Sequence, residues 1–259
     1  MSMDRKTNSL RERVLEHFAA LRIPLRAEEL DRLLEAAETQ GLSTLEVVDR
    51  LVGEQAARRH DRSIKRRIED AHFAEHKTLE TFDWNFNRTI RRDQYEQLAS
   101  AEFVRRHVNV VLVGQSGVGK SHLMQAVALS TCSLGYRVLY TTSAQLLLQL
   151  TAALADKTLT HTLKYFAKWD LLLVDEFGFD RIEREDCPQA AHLLYKVVAS
   201  RHQKRSTILI TNVDFDAWAA YLGDAPLAMA MLDRLVDGAI IIKIKGPSYR
   251  AKRSAKLKD

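Results

Sequence analysis

The feature that most constrains this chain is the octapeptide at residues 114–121, which reads Gly-Gln-Ser-Gly-Val-Gly-Lys-Ser. It follows the apolar run Val-Asn-Val-Val-Leu-Val and precedes a helical stretch, His-Leu-Met-Gln-Ala-Val-Ala-Leu. A strand, a glycine-rich loop and a helix in this order form a phosphate-binding loop, because glycines let backbone amides turn toward phosphate oxygens. The following helix adds the positive end of its dipole. The chain has 10 glycines in 259 residues, and three in one octapeptide argue against a chance match.

The loop predicts a site for a nucleoside triphosphate, with ATP and Mg²⁺ as the expected ligands. Lys120 is expected to bridge the β and γ phosphates, and the Ser121 hydroxyl is expected to hold Mg²⁺. His122 adjoins the loop and is included as a nucleotide-binding position without a catalytic role, since no histidine here has metal-ligand spacing. The predicted nucleotide-binding residues are Gly114, Gln115, Ser116, Gly117, Val118, Gly119, Lys120, Ser121 and His122.

Two carboxylates close the apolar run Leu171–Val174, some 55 residues after the lysine of the loop. Open α/β sheets bind ligands at the carboxyl ends of their strands, so these acids are expected beside the loop. Asp175 is predicted to hold Mg²⁺ through its water shell, and Glu176 to orient and deprotonate the attacking water. Asn212 follows another strand-like run and is predicted to hydrogen-bond that water or the γ phosphate. An ordinary strand-end turn is the alternative for Asn212.

Strand-length apolar runs alternate with helical stretches after residue 107, which predicts an α/β fold with a five-stranded parallel sheet covered on both faces. The first part of the chain instead shows helical periodicity, and a Ser43–Glu46 capping box starts a third helix expected to run to about His76. We therefore expect a helical N-terminal domain at 1–78, an α/β domain at 79–250 and a basic tail at 251–259. The five predicted strands are 108–113, 137–141, 171–174, 207–210 and 239–244.

Composition narrows the class of protein further. Two cysteines, Cys132 and Cys187, lie 55 positions apart without zinc-ligand spacing, which argues against a disulfide framework or a structural zinc. No uncharged apolar stretch approaches the roughly 18 residues that would span a bilayer, and the first ten residues lack the apolar segment of a signal peptide. The sequence therefore predicts a soluble cytoplasmic protein.

The net charge of +5 is concentrated in the third predicted helix, where six of the ten residues 58–67 are Lys or Arg. Residues three and four apart share one helix face, and such a basic stripe suits a nucleic-acid backbone without reading its sequence. A solvated helix surface is the alternative. The tail after Lys243 adds further lysines and arginines. The predicted DNA-binding residues are Arg58, Arg59, Arg62, Lys65, Arg66 and Arg67.

The loop, the acidic pair and the polar strand end, in this order, resemble an AAA+ ATPase of the additional-strand type. Leu-Asp-Arg-Leu at 232–235 and Gly-Pro-Ser-Tyr-Arg at 246–250 are similar to the closing section of IstB-type transposition helper ATPases, which are relatives of the DnaC-type helicase loaders. The resemblance covers roughly residues 79–250. It implies ATP hydrolysis, assembly into rings or helical filaments on duplex DNA, and an IstA-type transposase as partner.

By the same resemblance, Arg234 corresponds to the arginine finger that acts on a neighbouring subunit's ATP, and Arg250 to the second sensor arginine. An always-charged planar guanidinium suits both roles, since it donates two hydrogen bonds to phosphate oxygens. The basic cluster of Arg201, Lys204 and Arg205 offers a rival finger. A charged helix end for Arg234 and a solvated tail position for Arg250 are the structural alternatives.

The connector at 79–87 contains three aromatic residues, Phe82, Trp84 and Phe86, which either wall the base of the nucleotide or anchor the connector on the core. Three functions compete with a transposition ATPase: a DnaC-type loader that prefers single strands, a kinase that phosphorylates a hydroxyl, and a nucleotide-gated DNA-binding module with negligible turnover. Glu176, placed to activate water, argues against the kinase.

Overall fold

The structure is a computed structural model that describes residues 2–178 and 189–249. Cys187, Arg250 and the basic tail lie outside the described residues. The chain divides into two compact units, Met1–Lys65 and Arg66–Asp259, and each is described separately below.

The first unit is helical, as expected from its periodicity. The break between its first two helices contains Pro24, and Gly41 ends the second with φ +64°, a left-handed conformation that glycine adopts freely. The predicted capping box is confirmed, since the Ser43 N–H donates to Glu46 Oε2 at 2.7 Å and the Glu46 N–H donates to Ser43 Oγ at 3.4 Å. The helices are α1 (Ser2–Ala20), α2 (Ala27–Gln40) and α3 (Thr44–Asp70), the last turn of which belongs to the second unit.

The second unit contains the predicted five-stranded sheet, and every strand pairing in it is parallel. The order is β2-β3-β4-β1-β5. In the interior strand β1, Val110 and Leu112 face one layer of the core while Val111 and Val113 face the other, because side chains alternate along a strand. The strands are β1 (Val110–Gly114), β2 (Val138–Thr142), β3 (Leu171–Phe177), β4 (Ser206–Thr211) and β5 (Ile240–Ile244).

Helices cover both faces of this sheet, which leaves its carboxyl edge open for a ligand. One face packs against α4 (Arg92–Ala99), α5 (Glu102–Arg105) and α6 (Lys120–Ser133). The other face packs against a second set: α7 (Ser143–Ala155), α8 (Leu159–Ala167), α9 (Ala190–Arg201), α10 (Trp218–Leu222) and α11 (Ala225–Val236), with a short 3-10 turn at Phe215–Ala217 before α10.

Helix α3 ends at Asp70, so the expectation that it continues to about His76 was wrong. His72 has φ +56°, which is incompatible with a continuing right-handed helix. The carbonyl of Ala71 accepts a hydrogen bond from the backbone N–H of Tyr140 on β2 at 2.8 Å. The end of the helix is therefore set by pairing with the sheet edge and carries no glycine or proline signal.

Candidate nucleotide-binding site

The glycine-rich loop lies between β1 and α6, at the carboxyl edge of the sheet. Gly117 and Gly119 have φ values of +83° and +100°, which glycine adopts without strain. A Cβ atom at Gly117 would collide with the Ser248 side chain, and one at Gly119 would come within 2.8 Å of the Phe82 ring. These two glycines are therefore required by both backbone conformation and space.

Lys120 lies inside the loop. Its side chain is largely buried, and its Nζ donates to the carbonyl oxygens of Gly114 at 2.6 Å and Gln115 at 2.8 Å. These hydrogen bonds hold a positive charge at the centre of the turn. A phosphate oxygen could exchange with those carbonyls as an acceptor, because an ammonium group has three donors and can reorient them.

The Asp175 carboxylate is the polar centre of the site and is only 2% exposed. Its Oδ1 accepts from Ser121 Oγ at 3.1 Å and from the Glu176 N–H at 2.8 Å, and its Oδ2 accepts from the Tyr140 hydroxyl at 3.4 Å. Burial, followed by the nearby carboxylates of Asp175 and Glu176, raises the pKa of Tyr140, so its hydroxyl remains a donor. The hydroxyl of Ser121 and the carboxylate of Asp175 are hard oxygen ligands, which suits Mg²⁺.

Glu176 is exposed, unlike the neighbouring Asp175. A register irregularity between Val174 and Phe177 interrupts the pairing of β3 with β4, and Glu176 has φ +60° there. Its carbonyl accepts from Ser143 Oγ at 3.1 Å, which fixes the unusual conformation. The Glu176 side chain is consequently exposed at the wall of the cavity, so the two consecutive acids occupy different environments.

The cavity beside the loop has a volume of about 610 Å³ and brings together most of the predicted site. Asn212 is exposed at the end of β4 and lines it. Among the predicted nucleotide-binding residues, Gly114 and Gln115 do not line the cavity, although their carbonyls hold Lys120. The predicted residues that line it are Ser116, Gly117, Val118, Gly119, Lys120, Ser121, His122, Asp175, Glu176 and Asn212.

The aromatic residues of the connector lie in two environments, and contact of any of them with a nucleotide base stays a prediction. Phe82 and Phe86 line the cavity, whereas Trp84 packs against the core, with its ring centroid 6.1 Å from that of the buried Tyr95. The Phe82 ring lies edge-on to the His122 ring, with centroids 5.2 Å apart. His122 Nε2 is also 3.0 Å from the carbonyl oxygen of Thr78. His122 thus connects the loop helix to the connector.

Sequence reasoning missed two tyrosines at this site. Tyr140 lies on β2 and reaches Asp175, as described above. Tyr249 lines the cavity, donates its backbone N–H to the Gly117 carbonyl at 2.9 Å and packs edge-on against Phe86 at 5.0 Å. No sequence signal identified Tyr140, because its contact with Asp175 depends on the pairing of β2 with β3.

Arg234 does not line the cavity of its own chain. It lies in the last turn of α11, close to the amino end of β5 and so toward the sheet edge opposite the cavity. Its Nη1 donates to the Ala230 carbonyl at 3.0 Å, and its guanidinium carbon lies 5.0 Å from the centre of the Tyr195 ring. Within residues 2–178 and 189–249, no carboxylate forms an ion pair with it.

The rival finger Arg201 is an internal structural residue. It is 1% exposed, and its guanidinium donates to the carbonyls of Phe166 at 2.6 Å, Trp169 at 3.0 Å and Ser206 at 2.5 Å. Burial lowers the pKa of Arg201 to about 9. Arg205 lies 3.5 Å from a carboxylate oxygen of Asp170, and Lys204 is exposed. The guanidinium of Arg201 is therefore fully engaged within its own chain.

The six predicted DNA-binding residues differ in environment. Arg58 pairs with Glu29 at 2.8 Å, and Arg66 lies 3.7 Å from a carboxylate oxygen of Asp70. Arg67 is half-buried, and its Nη1 lacks a hydrogen-bond partner among the described residues. The other three, Arg59, Arg62 and Lys65, are exposed. Of these, Arg59 and Arg62 form no ion pair with a described carboxylate.

A parallel sheet with the loop after β1 and the acidic pair near the carboxyl end of β3 defines a P-loop ATP-binding protein of the AAA+ class. Solved structures support the fold. DnaI superposes with a TM-score of 0.54 at 22% identity over 65% of this chain and 91% of that chain, and the DnaC helicase loader with 0.50 at 20% over 62% and 98%. DnaA bound to AMPPCP and single-stranded DNA superposes with a TM-score of 0.53 at 18% identity. The match covers 70% of this chain and 54% of the DnaA chain.

The chain belongs to the family of IstB-like ATP binding proteins, whose sequence profile matches residues 16–257. It is 32% identical over 241 residues to a Geobacillus stearothermophilus protein named as the ATP-binding protein of insertion sequence IS5376, covering 93% of this chain and 94% of that one. It is 34% identical over 227 residues to the corresponding IS21 protein of Pseudomonas aeruginosa, covering 88% and 84%. No helix within the described residues is long and apolar enough to cross a membrane.

Proposed function

We propose that this protein is a Mg²⁺-dependent ATPase that assembles on duplex DNA and recruits or stimulates an IstA-type transposase during transposition. One observation carries the proposal. In a chain about one-third identical to insertion-sequence ATP-binding proteins, Lys120, Ser121 and the acids Asp175 and Glu176 converge on one cavity.

The hydrolytic step follows from the different environments of the two acids. The buried Asp175, together with Ser121, would hold Mg²⁺, which when bound neutralises charge on the phosphates. The exposed Glu176 would accept a proton from water, whose oxygen attacks the γ phosphorus as the bond to the β–γ bridging oxygen breaks. Asn212 would orient that water or the γ phosphate. The products are ADP and inorganic phosphate.

Completion of the site by a neighbouring subunit is supported by the surroundings of Arg234. It lies away from the cavity of its own chain, its charge has no described carboxylate partner, and the Tyr195 ring supports its guanidinium. Such an arginine is available to an anion outside its own subunit. We infer that Arg234 supplies the finger in trans and that Arg250 acts in cis. Engagement of Arg201 within the chain makes it a poor candidate for the finger.

DNA binding is assigned to α3. Arg59 and Arg62 are exposed one turn apart without described carboxylate partners, as phosphate-contacting residues need to be. Arg58, Lys65, Arg66 and Arg67 extend the same stretch of helix, although Arg58 would have to exchange Glu29 for a phosphate. Contacts of this kind position a protein on DNA without reading its sequence.

The test is electron microscopy and phosphate release with full-length protein, ATP, Mg²⁺ and random-sequence duplex DNA. We expect ATP-dependent assemblies on the duplex, and we expect Glu176→Gln to retain assembly while losing turnover. Unchanged phosphate release by Glu176→Gln would remove it as the base. Observation of isolated monomers on DNA at saturating ATP would contradict the proposal that the protein assembles into an oligomer.

A DnaC-type helicase loader is the second candidate, favoured by the superposition on nearly the whole of the DnaC loader. The two functions share the ATPase site but differ in DNA and partner. Tighter binding to single strands than to duplex, together with binding of a replicative helicase, would favour the loader. A preference for duplex and for a transposase would favour the transposition ATPase.

A further inference from the structure

Tyr140 on the edge strand β2 donates a hydrogen bond to the carboxylate of Asp175, and Tyr140 belongs to none of the sequence motifs described above. We propose that Tyr140 is a positioning residue for Asp175, and that its hydroxyl orients the carboxylate for Mg²⁺. The inference rests on the proposed function in one respect, namely that Asp175 holds Mg²⁺.

The sheet register places the two side chains within reach of each other. Thr142 of β2 pairs with Asp175 of β3, and Tyr140 pairs with Leu173. Side chains two residues apart along a strand share a face, so Tyr140 and Asp175 are diagonal neighbours on one face of the sheet. A two-residue offset is about 6.6 Å, which a tyrosine side chain spans and a shorter hydroxyl side chain would not.

The tyrosine is held at both its backbone and its ring. Its N–H donates to the Ala71 carbonyl at 2.8 Å, and its ring packs against Phe73 with centroids 6.4 Å apart. Because the backbone and the ring are both constrained, the hydroxyl has a defined position relative to the carboxylate.

The two oxygens of Asp175 are held by different groups. Oδ1 accepts from Ser121 and from the Glu176 backbone, on the side of the phosphate loop. The described donor to Oδ2 is the Tyr140 hydroxyl. A hydrogen bond to Oδ2 fixes the plane of the carboxylate and keeps Oδ1 directed toward Ser121. Partners that orient a ligand in this way typically change metal affinity by about 10- to 100-fold when removed.

The experiment measures binding of a fluorescent non-hydrolysable ATP analogue to the full-length protein as Mg²⁺ is varied. We expect Tyr140→Phe, which keeps the ring and removes the donor, to raise the half-saturating Mg²⁺ concentration about tenfold. Analogue binding in EDTA should stay unchanged. Replacement of Tyr140 by 4-aminophenylalanine, which restores a donor, should recover the wild-type value. Tyr136→Phe is the matched control, since that half-buried tyrosine lies outside the cavity, and it should shift nothing.

The outcomes separate the inference from the proposed function. An unchanged Mg²⁺ curve for Tyr140→Phe, in parallel with a clear shift for Asp175→Asn, would overturn the positioning role and leave the metal site intact. An equal loss of analogue binding with and without Mg²⁺ would also overturn it, because the ring would then act by packing alone. If Asp175→Asn shifts nothing, the assignment of Asp175 to Mg²⁺ fails and the inference fails with it.

Discussion

The two compact units of this chain differ in how far their apolar side chains are buried. In the second unit, alternate residues of the strands are buried on both faces of the sheet, and the polar groups of the cavity already contact one another. Among the described leucines of the first unit, Leu30 alone is buried. Leu45 is 78% exposed and Leu21 is 68% exposed.

From this difference we expect the two units to have different roles. A unit with its own core can hold catalytic groups in fixed positions, because close packing resists displacement. A small helical unit with exposed leucines and arginines offers surface for contacts with other molecules. We therefore expect substitutions in the second unit to change turnover or stability, and substitutions in the first to change DNA binding with the ATP site unaffected.

The largest effect is expected from Arg234→Ala. Loss of a trans-acting arginine should lower kcat by about 1000-fold or more, with ATP affinity nearly unchanged. Mixing these subunits with Lys120→Ala subunits, which retain Arg234, should restore part of the phosphate release. Arg205→Ala is the control and should stay close to wild type. Equal loss in both variants, without recovery on mixing, would contradict a finger at Arg234.

The next prediction compares the fully buried Arg201 of the second unit with the half-buried Arg11 of the first. Arg201→Met leaves three carbonyls without their donor, and we expect it to lower the free energy of unfolding by about 3 kcal/mol. Arg11→Met breaks the half-buried pair with Asp31 and should shift the unfolding midpoint far less. Urea denaturation followed by circular dichroism measures both. Similar midpoints for the two variants would contradict the comparison.

A smaller effect is expected for the double variant Arg59→Gln/Arg62→Gln. If each side chain contacts one phosphate, the slope of log affinity against log salt should fall by about 2. ATP affinity in the absence of DNA should not change. Arg13→Gln/Arg22→Gln removes the same charge from the same unit and should leave the slope as it is. Equal changes in both double variants would indicate a general charge effect and no specific surface on α3.

The last prediction concerns the reactivity of Cys132, which reports how well the second unit excludes solvent and involves no functional site. Burial raises the pKa of the Cys132 thiol to about 12, so the reactive thiolate is scarce at pH 8. Iodoacetamide should alkylate this cysteine at least about 100-fold more slowly in the folded protein than in urea, as peptide mass spectrometry would report. Comparable rates in both conditions would show that this part of the core opens readily.

Much of the ATP site was predictable from sequence because its signals are local. The turn around Gly117 and Gly119 requires glycine, and Asp175 and Glu176 directly follow an apolar run that is visible in the sequence. The five strands were predicted to within three residues at their ends. The capping box at Ser43 depends only on neighbouring residues, and it was confirmed.

The sequence by itself therefore determined the parallel sheet, the phosphate loop and the order of the polar strand ends, since short-range backbone geometry and hydrophobic periodicity specify them. Only the tertiary structure decided that α3 ends at Asp70, that Arg201 is internal, and that Tyr140 reaches Asp175. Each of these features depends on a hydrogen bond to a partner at least 30 residues away along the chain. Periodicity carries no information about such partners, because they meet only when the sheet and its helices pack together.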